Sequence, residues 1–356
     1  MAIGLDIGSS AVRAVQLERR RGRPFQLSRH REAELPAGAV VDGEVAEPDA
    51  VADVLREVWA QAGLRDRTVA LGLASPRVTV RQMDLPALPE GELGDAVRLQ
   101  AEDQLPMPVE QALLDHMVVE RYDVVEERSN VRVLLVAAER DMVERLLAAV
   151  TAAKLRPALV DLDAFALLRS LTTTLADGEP PAVSDGAEAI VDVGAAITKI
   201  AVHRAGNPLF VRMVRLGGDA ATRELQRILE LSWEEAEHAK LAASEAMAAG
   251  RELDPEDERV GVLQGGVQRV ISEVRHSLDF FRREHDVEVL RVLLSGRGSL
   301  APNLADRLEA VLELPVELGN PLHAIDVAEA RRAPNGFHEE ERSLGVAVGL
   351  AMGLLR

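Results

Sequence analysis

Apolar positions recur along the chain with two alternating periods, and the elements they predict fall into two similar halves. Ala2 to Ile7 reads as a buried strand, Gly8-Ser9-Ser10 as a tight turn, and Ala11 to Leu17 as the returning strand of a hairpin. Val51, Val54, Leu55 and Val58 at helical spacing predict a helix over Asp49 to Ala62, stopped by Gly63 and followed by a strand over Thr68 to Leu73. Val78 to Met83 alternates like a half-buried strand, and Gly91 to Gln104 reads as a helix ended by Pro106 and Pro108. Strands over Met117 to Val125 and Asn130 to Ala137, and an amphipathic helix over Asp141 to Lys154, complete a small α+β unit with the position of an insertion. A strand and a helix follow within Pro157 to Leu175. Ala176 to Gly186, rich in Asp, Gly, Glu and Pro, reads as a domain boundary.

The second half then begins as the first did. Ala189 to Val193, Gly194-Ala195-Ala196, Ile197 to Val202 and Pro208 to Val214 repeat the strand, tip, strand order. Leu5-Asp6-Ile7-Gly8-Ser9-Ser10-Ala11-Val12 is echoed by Val191-Asp192-Val193-Gly194-Ala195-Ala196-Ile197-Thr198. An echo so widely spaced does not fit a solenoid, whose periods are roughly 20–50 residues. Two duplicated domains facing one another fit it.

Composition narrows the chemistry. The chain has 356 residues, no cysteine, and 41 Lys+Arg against 59 Asp+Glu, a formal net charge of -18. Disulfide frameworks, thiolate metal sites and thiol catalysis are excluded. The acidic balance, without a basic stretch interleaved with aromatics, argues against nucleic acid. The 8 histidines are scattered without metal-ligand spacing. Only 3% of residues are aromatic, so the core is built from Ala, Val and Leu, which suits α/β packing. Asp6 inside the first apolar run fits neither a secretory signal nor a transit peptide. The run Leu344 to Leu355 is too short to span a bilayer, which needs about 20 residues. The expectation is a soluble, cytoplasmic chain starting at or near Met1, without membrane insertion.

A hairpin tip of small residues exposes backbone N–H groups that can converge on a phosphate, and the hydroxyls of Ser9 and Ser10 add donors. Asp6 and Asp192, at the ends of the two leading strands, are placed to hold a phosphate-bound Mg²⁺, directly or through its water shell. Arg13 reads either as a clamp on a β- or γ-phosphate or as a surface strand residue. Gly217 and Gly218 before a helix near Ala220, and Gly296-Arg297-Gly298 after a buried strand, read either as close backbone approaches to a nucleoside or as helix capping and strand exit.

These loops together resemble the actin, hexokinase and chaperone ATPase superfamily, and further stretches are similar to the PilM family of type IV pilus assembly. Those stretches are Gly4 to Arg13, Ala96 to Pro108, Asp161 to Leu167, Trp233 to Glu237 and Arg275 to Arg282. The resemblance implies an actin-like (ribonuclease H-like) α/β fold of two duplicated domains with an inserted α+β subdomain of the FtsA/PilM type. The subdomains would be IA (1–75, 156–185, 340–356), IC (76–155), IIA (186–222, 290–339) and IIB (223–289). It implies ATP with Mg²⁺. Gly8, Ser9, Ser10 and Arg13 would line phosphate loop 1, and Gly194, Ala195, Ala196 and Thr198 loop 2. Gly217, Gly218, Lys240, Gly296, Arg297 and Gly298 would lie around the adenosine. Asp163 would position the attacking water or, equally, cap its helix. Loop 2 lacks the further glycine or acidic residue of strong hydrolases, which implies weak or no turnover.

The partner implied is the N-terminal cytoplasmic peptide of a PilN-like inner-membrane protein, docked in a groove beside the insert, where apolar positions such as Leu93, Val97, Leu105 and Met107 read either as groove or simply as core. PilO and motor ATPases of the platform would be further associates. The protein would then be an ATP-binding scaffold of pilus assembly and twitching motility, peripheral to the inner membrane through its partners. An FtsA-like division protein and a small-molecule kinase of the same superfamily are the alternatives.

Overall fold

The computed structural model describes residues 1–19, 22–125, 128–172, 186–251, 254, 256–327 and 339–355. The first half forms β1 (Ala2–Ile7), β2 (Ala11–Glu18), β3 (Phe25–Glu34), the short pair β4 (Val40–Val41) and β5 (Glu44–Val45), α1 (Pro48–Ala62) and β6 (Thr68–Leu73). An excursion follows through β7 (Thr79–Pro86), α2 (Glu90–Ala101), β8 (Ala112–Val125) and β9 (Arg128–Glu139). The chain returns through α3 (Arg140–Ala152), β10 (Arg156–Leu162) and α4 (Asp163–Leu171). The second half comprises β11 (Ala187–Val193), β12 (Thr198–Arg204), β13 (Asn207–Val214), α5 (Gly218–Leu229), α6 (Trp233–Ala248), α7 (Glu258–Glu284) and β14 (Val289–Ser295). It continues with α8 (Leu304–Leu312), β15 (Val316–Leu318), β16 (Ile325–Asp326) and α9 (Gly345–Leu354). The predicted boundary from Ala176 to Gly186 lies, apart from Gly186, outside the described residues.

The duplication is visible in strand order. The first sheet runs β10-β6-β1-β2-β3-β16 and the second β13-β12-β11-β14-β15. Each leading strand pairs antiparallel with its hairpin partner and parallel with the next sheet neighbour, β1 with β6 and β11 with β14. The registers correspond as well: Asp6 lies opposite Arg13, and Asp192 opposite Lys199.

Local signals account for the helices. Pro48 starts α1 and Gly63, in the left-handed region at φ 61°, ends it. Ser232 and Glu235 close a reciprocal capping box at the start of α6. α2 ends at Ala101, three residues before the predicted limit, and the turn that follows is closed by the N–H groups of Gln104 and Leu105 on the Ala101 carbonyl, ahead of Pro106. β8 starts five residues earlier than predicted. Its polar Asp115 and His116 belong to an edge strand of the sheet β7-β9-β8.

That inserted sheet has its own core of Met83, Leu85, Leu93, Val97, Val131, Val133 and Leu135. Of the apolar positions read as groove or core, Leu93 and Val97 are interior residues, whereas Leu105 and Met107 are partly exposed. α3, grouped with the insert in the sequence reading, buries Met142, Val143, Leu146 and Val150 in the core of the first sheet beside α1. Ala201, Val211 and Met213 of the second half share that core. α7 and α8 cover the second sheet with Val267, Val270, Ile271, Val274, Leu278, Leu304 and Leu308.

α9 closes the first domain against β1 and α4, and small residues decide how near it comes. A Cβ on Gly349 would lie 1.8 Å from the Ala166 carbonyl oxygen, and one on Gly4 1.9 Å from that of Ala347. Gly349→Ala is expected to push α9 off α4 and lower stability by about 1–3 kcal/mol, read from a urea unfolding midpoint.

Candidate functional site

Both hairpin tips are closed by the same backbone bond. Gly8 N–H donates to Ala11 C=O at 3.0 Å, and Gly194 N–H to Ile197 C=O at 3.1 Å. In each, the Asp two residues before the glycine ends the leading strand and is buried, with 5% exposure for Asp6 and for Asp192. The basic residue seven positions on returns opposite it on the second strand. In the first hairpin Arg13 Nη1 donates to Asp6 Oδ2 at 3.3 Å, while its Nε donates to Glu32 Oε2 at 3.0 Å. In the second, Lys199 Nζ donates to Asp192 Oδ2 at 2.9 Å. Arg13 is thus a buried member of the site, not a surface strand residue.

The sequence reading missed Lys199. Its ammonium also lies 3.2 Å from Asp163 Oδ2, so one cation joins a carboxylate of each domain. The signal was present: Asp6 to Arg13 and Asp192 to Lys199 share a separation of seven. Glu32 was missed too; it accepts from Arg13 and lies 3.0 Å from Arg297 Nη2 of the opposite domain. Asp163 does not cap its helix. It is the first helical residue, makes no capping bond, and is 5% exposed. Its Oδ1 is buried without a hydrogen-bond partner.

The remaining candidates pack around loop 2. Gly218 N–H donates to Gly194 C=O at 3.1 Å and Asp219 N–H to Ala195 C=O at 2.9 Å, so the start of α5 is tied to the second tip. A Cβ on Gly217 would lie 2.2 Å from the Ala195 carbonyl oxygen, so only glycine allows this approach. The Thr198 hydroxyl donates to Leu216 C=O at 2.6 Å and is occupied in holding the same loop. Gly296 (φ 78°) and Gly298 lie against the Val193 carbonyl at the end of β11, leaving Arg297 to reach Glu32. Lys240 Nζ donates to Thr222 Oγ1 at 2.9 Å and pairs with Glu237 at 2.7 Å, close to Gly218. The structure thus brings Asp6, Arg13, Asp163, Asp192 and Lys199 into one cluster, flanked by Gly8-Ser9-Ser10 and Gly194-Ala195-Ala196, with Lys240 further along α6.

Burial sets the electrostatics. It pushes the Asp163 carboxyl up to about 7, against the pull of the Lys199 ammonium. Burial also raises Asp6, with Arg13 opposing. For Lys199, burial opposes the charge, but Asp192, Asp163 and Asp6 outweigh it and hold the amine protonated.

Two outcomes follow from this balance. Lys199→Met leaves buried carboxylates without their counter-ion and is expected to lower stability at neutral pH by about 3–5 kcal/mol in urea unfolding. For Asp163 the folded state keeps a proton that the unfolded state has already lost. Its contribution is therefore complete below 3.8 and declines as pH rises through about 7. Unfolding free energies measured across that range are expected to fall with pH in the native chain and to fall less steeply in Asp163→Asn.

Over residues 4–354 the chain matches the family described as type IV pilus assembly protein PilM. It is 30% identical to a chain of the solved PilM-PilN type IV pilus biogenesis complex, covering 100% of this chain and 98% of that one with a TM-score of 0.86. The cell division protein FtsA of Streptococcus pneumoniae serotype 2 (strain D39) is 23% identical over 352 residues, 89% of this chain and 75% of that protein. MreB5 of Spiroplasma citri, solved with AMPPNP, shares the fold at a TM-score of 0.52 and 12% identity, over 98% of this chain and 93% of that one. The duplicated sheets and these likenesses make the architecture actin-like, and the chain belongs to the PilM family of type IV pilus assembly proteins.

Proposed function

We propose that the protein serves pilus assembly as a nucleotide-binding scaffold, with ATP and Mg²⁺ held between the two hairpins. The observation that carries this reading is the matched pair of tips, each closed by the same backbone bond and each backed by a buried acid and base. Gly8, Ser9, Ser10 and Arg13 would meet the phosphates from one side, and Gly194, Ala195 and Ala196 from the other. Lys240 and the Gly296-Arg297-Gly298 turn would flank the nucleoside.

The acids fit a cation that arrives with the nucleotide. Among the described residues no group of three or more acidic or histidine side chains can hold a metal by itself. Asp6 and Asp192 would therefore act on the waters of a phosphate-bound Mg²⁺, which keeps much of its hydration shell. When bound, Mg²⁺ neutralises phosphate charge. The partnerless Asp163 Oδ1 is an acceptor suited to a water in the cleft, and a carboxyl near 7 suits a proton acceptor at neutral pH. Loop 2 offers no second glycine, in keeping with slow turnover.

For the partner, the likeness to the solved PilM-PilN complex supports a PilN-like protein, which this reading takes as a membrane protein held by its short N-terminal segment beside the inserted sheet. Leu105 and Met107, partly exposed in the segment that follows α2, are the side chains this reading assigns to contact. Such a partner would place the protein in the cytoplasm at the inner membrane. Nucleotide binding would bias the domains toward one orientation and so alter the partner surface.

Thermal unfolding tests both halves. A free ligand at one hundred times its Kd stabilises a folded protein by about 2.7 kcal/mol. Mg-ATP is expected to raise the midpoint in the native chain, with the rise lost in Arg13→Gln. A PilN N-terminal peptide is expected to raise it independently. Absence of any shift with Mg-ATP overturns the nucleotide assignment, and phosphorylation of a small-molecule acceptor overturns the scaffold reading.

A further inference from the structure

In a chain with 59 acidic residues, a group of basic side chains collects where the function above makes no use of it. Arg65, Arg67, Lys154 and Arg156 are all exposed. They meet at the N-terminal ends of the parallel neighbours β6 and β10. Arg156 is paired across the sheet with Thr68, its N–H donates to the Arg67 carbonyl at 2.7 Å, and its Nη2 donates to Thr68 Oγ1 at 3.4 Å. Lys154 stands in the turn before β10. Arg29, also exposed, adjoins them by donating from Nη1 to the Ala62 carbonyl at 3.1 Å, at the end of α1. Asp66 is the one acid within 63–67, and its carboxylate accepts from Thr68 N–H at 2.9 Å.

These five cations differ from those of the cleft. Arg13, Lys199, Arg215 and Arg297 are all ion-paired. Among the described residues Arg29, Arg65, Arg67 and Lys154 form no ion pair, and Arg156 acts on Asp66 only through its field, which helps hold that carboxyl below its ordinary range. The apolar side chains of the same turns, Leu64 and Leu155, are 5% and 3% exposed and point into the core. A protein interface of ordinary affinity has an apolar or aromatic centre inside its polar rim. This patch has charge without such a centre. That combination suits a layer of anionic headgroups, where attraction sums over many charges and needs no pocket.

Position supports the same occupant. β10 carries Arg156 at one end and leads into Asp163 at the other, about 20 Å away at strand rise. The patch is therefore at the pole of the first domain opposite the cleft. The excess negative charge elsewhere repels an anionic surface, and screening over roughly 10 Å at 0.1 M salt lets one pole act separately from the rest. We infer that this pole docks the protein peripherally on an anionic membrane surface. No helix among the described residues is long and apolar enough to cross a membrane, so the contact is one of surface charge.

The test uses the full chain, sedimented with vesicles of phosphatidylcholine containing about one third phosphatidylglycerol, and with vesicles of phosphatidylcholine alone. Binding is expected only to the anionic vesicles and is expected to fall steeply as salt is raised. Arg65→Glu, Arg67→Glu and Arg156→Glu combined should reduce the bound fraction at least about tenfold. Arg98→Glu with Arg223→Glu, exposed elsewhere, should leave it unchanged. Unfolding midpoints of both variants establish that they fold. Failure of the native chain to bind the anionic vesicles overturns the inference, as does equal binding by the triple variant. Capture by soluble polyglutamate but not by the vesicles also overturns it and points to an acidic protein instead.

Discussion

The ammonium of Lys199 is the constraint on which the rest of the cleft depends. Three carboxylates, Asp6, Asp163 and Asp192, are buried within reach of its field, and an uncompensated buried charge is expensive. Arg13 covers Asp6 from within the first domain, but Asp163 and Asp192 sit on opposite domains and share Lys199. The relative placement of the two domains is therefore tied to the neutralisation of their innermost acids. Two further contacts have the same polarity. Glu32 of the first domain meets Arg297 of the second at 3.0 Å, and Asp42 meets Arg215 at 3.1 Å. In all three pairs the acid is on the first domain and the base on the second. A polyphosphate entering the cleft, as proposed, competes with those acids for the same bases, so occupancy and domain orientation become linked quantities.

Backbone proximity makes this arrangement possible. Gly72 on β6 leaves room for the Asp163 carboxylate: a Cβ there would lie 2.1 Å from Oδ1. The same requirement recurs at Gly217 under loop 2 and at Gly349 under α4. With few aromatic residues, the first domain packs through glycine contacts of this kind, at which backbone meets its neighbours directly. The acids at the strand ends are buried by that compactness, and their burial is what shifts Asp6 and Asp163 toward the protonated form.

Much of this was legible in the sequence, and the gaps have physical causes. Short apolar runs and turn residues located both hairpins because these strands are buried along nearly their whole length. The duplication followed from the echo between Asp6 and Asp192. Lys199 went unnoticed because a lysine on a strand reads as solvent-facing, and only the cross-strand register places it over Asp192. Asp163 could be read as a helix cap as readily as a water-positioning acid, because Asp at a strand-to-helix junction is often a cap. Its role depends on Lys199 arriving from the other domain, a contact 36 residues away in the chain that no local pattern encodes. Leu93 and Val97 could be read as groove or as core because an amphipathic helix has an apolar face whether or not a sheet covers it. Here the inserted sheet does.

The net charge of -18 can now be placed against the fold. In each sheet the leading strand runs toward the cleft, so its terminal acid and the hairpin tip after it face the other domain. The parallel neighbours β6 and β10 run the same way, and their starts lie at the far pole. Strand direction thus separates a cleft, where bases are consumed by buried acids, from a pole where bases stand exposed. Docking at that pole would leave the cleft open to solvent, and the inserted sheet, entered from the cleft end of β6, is separated from the start of β10 by the length of α3.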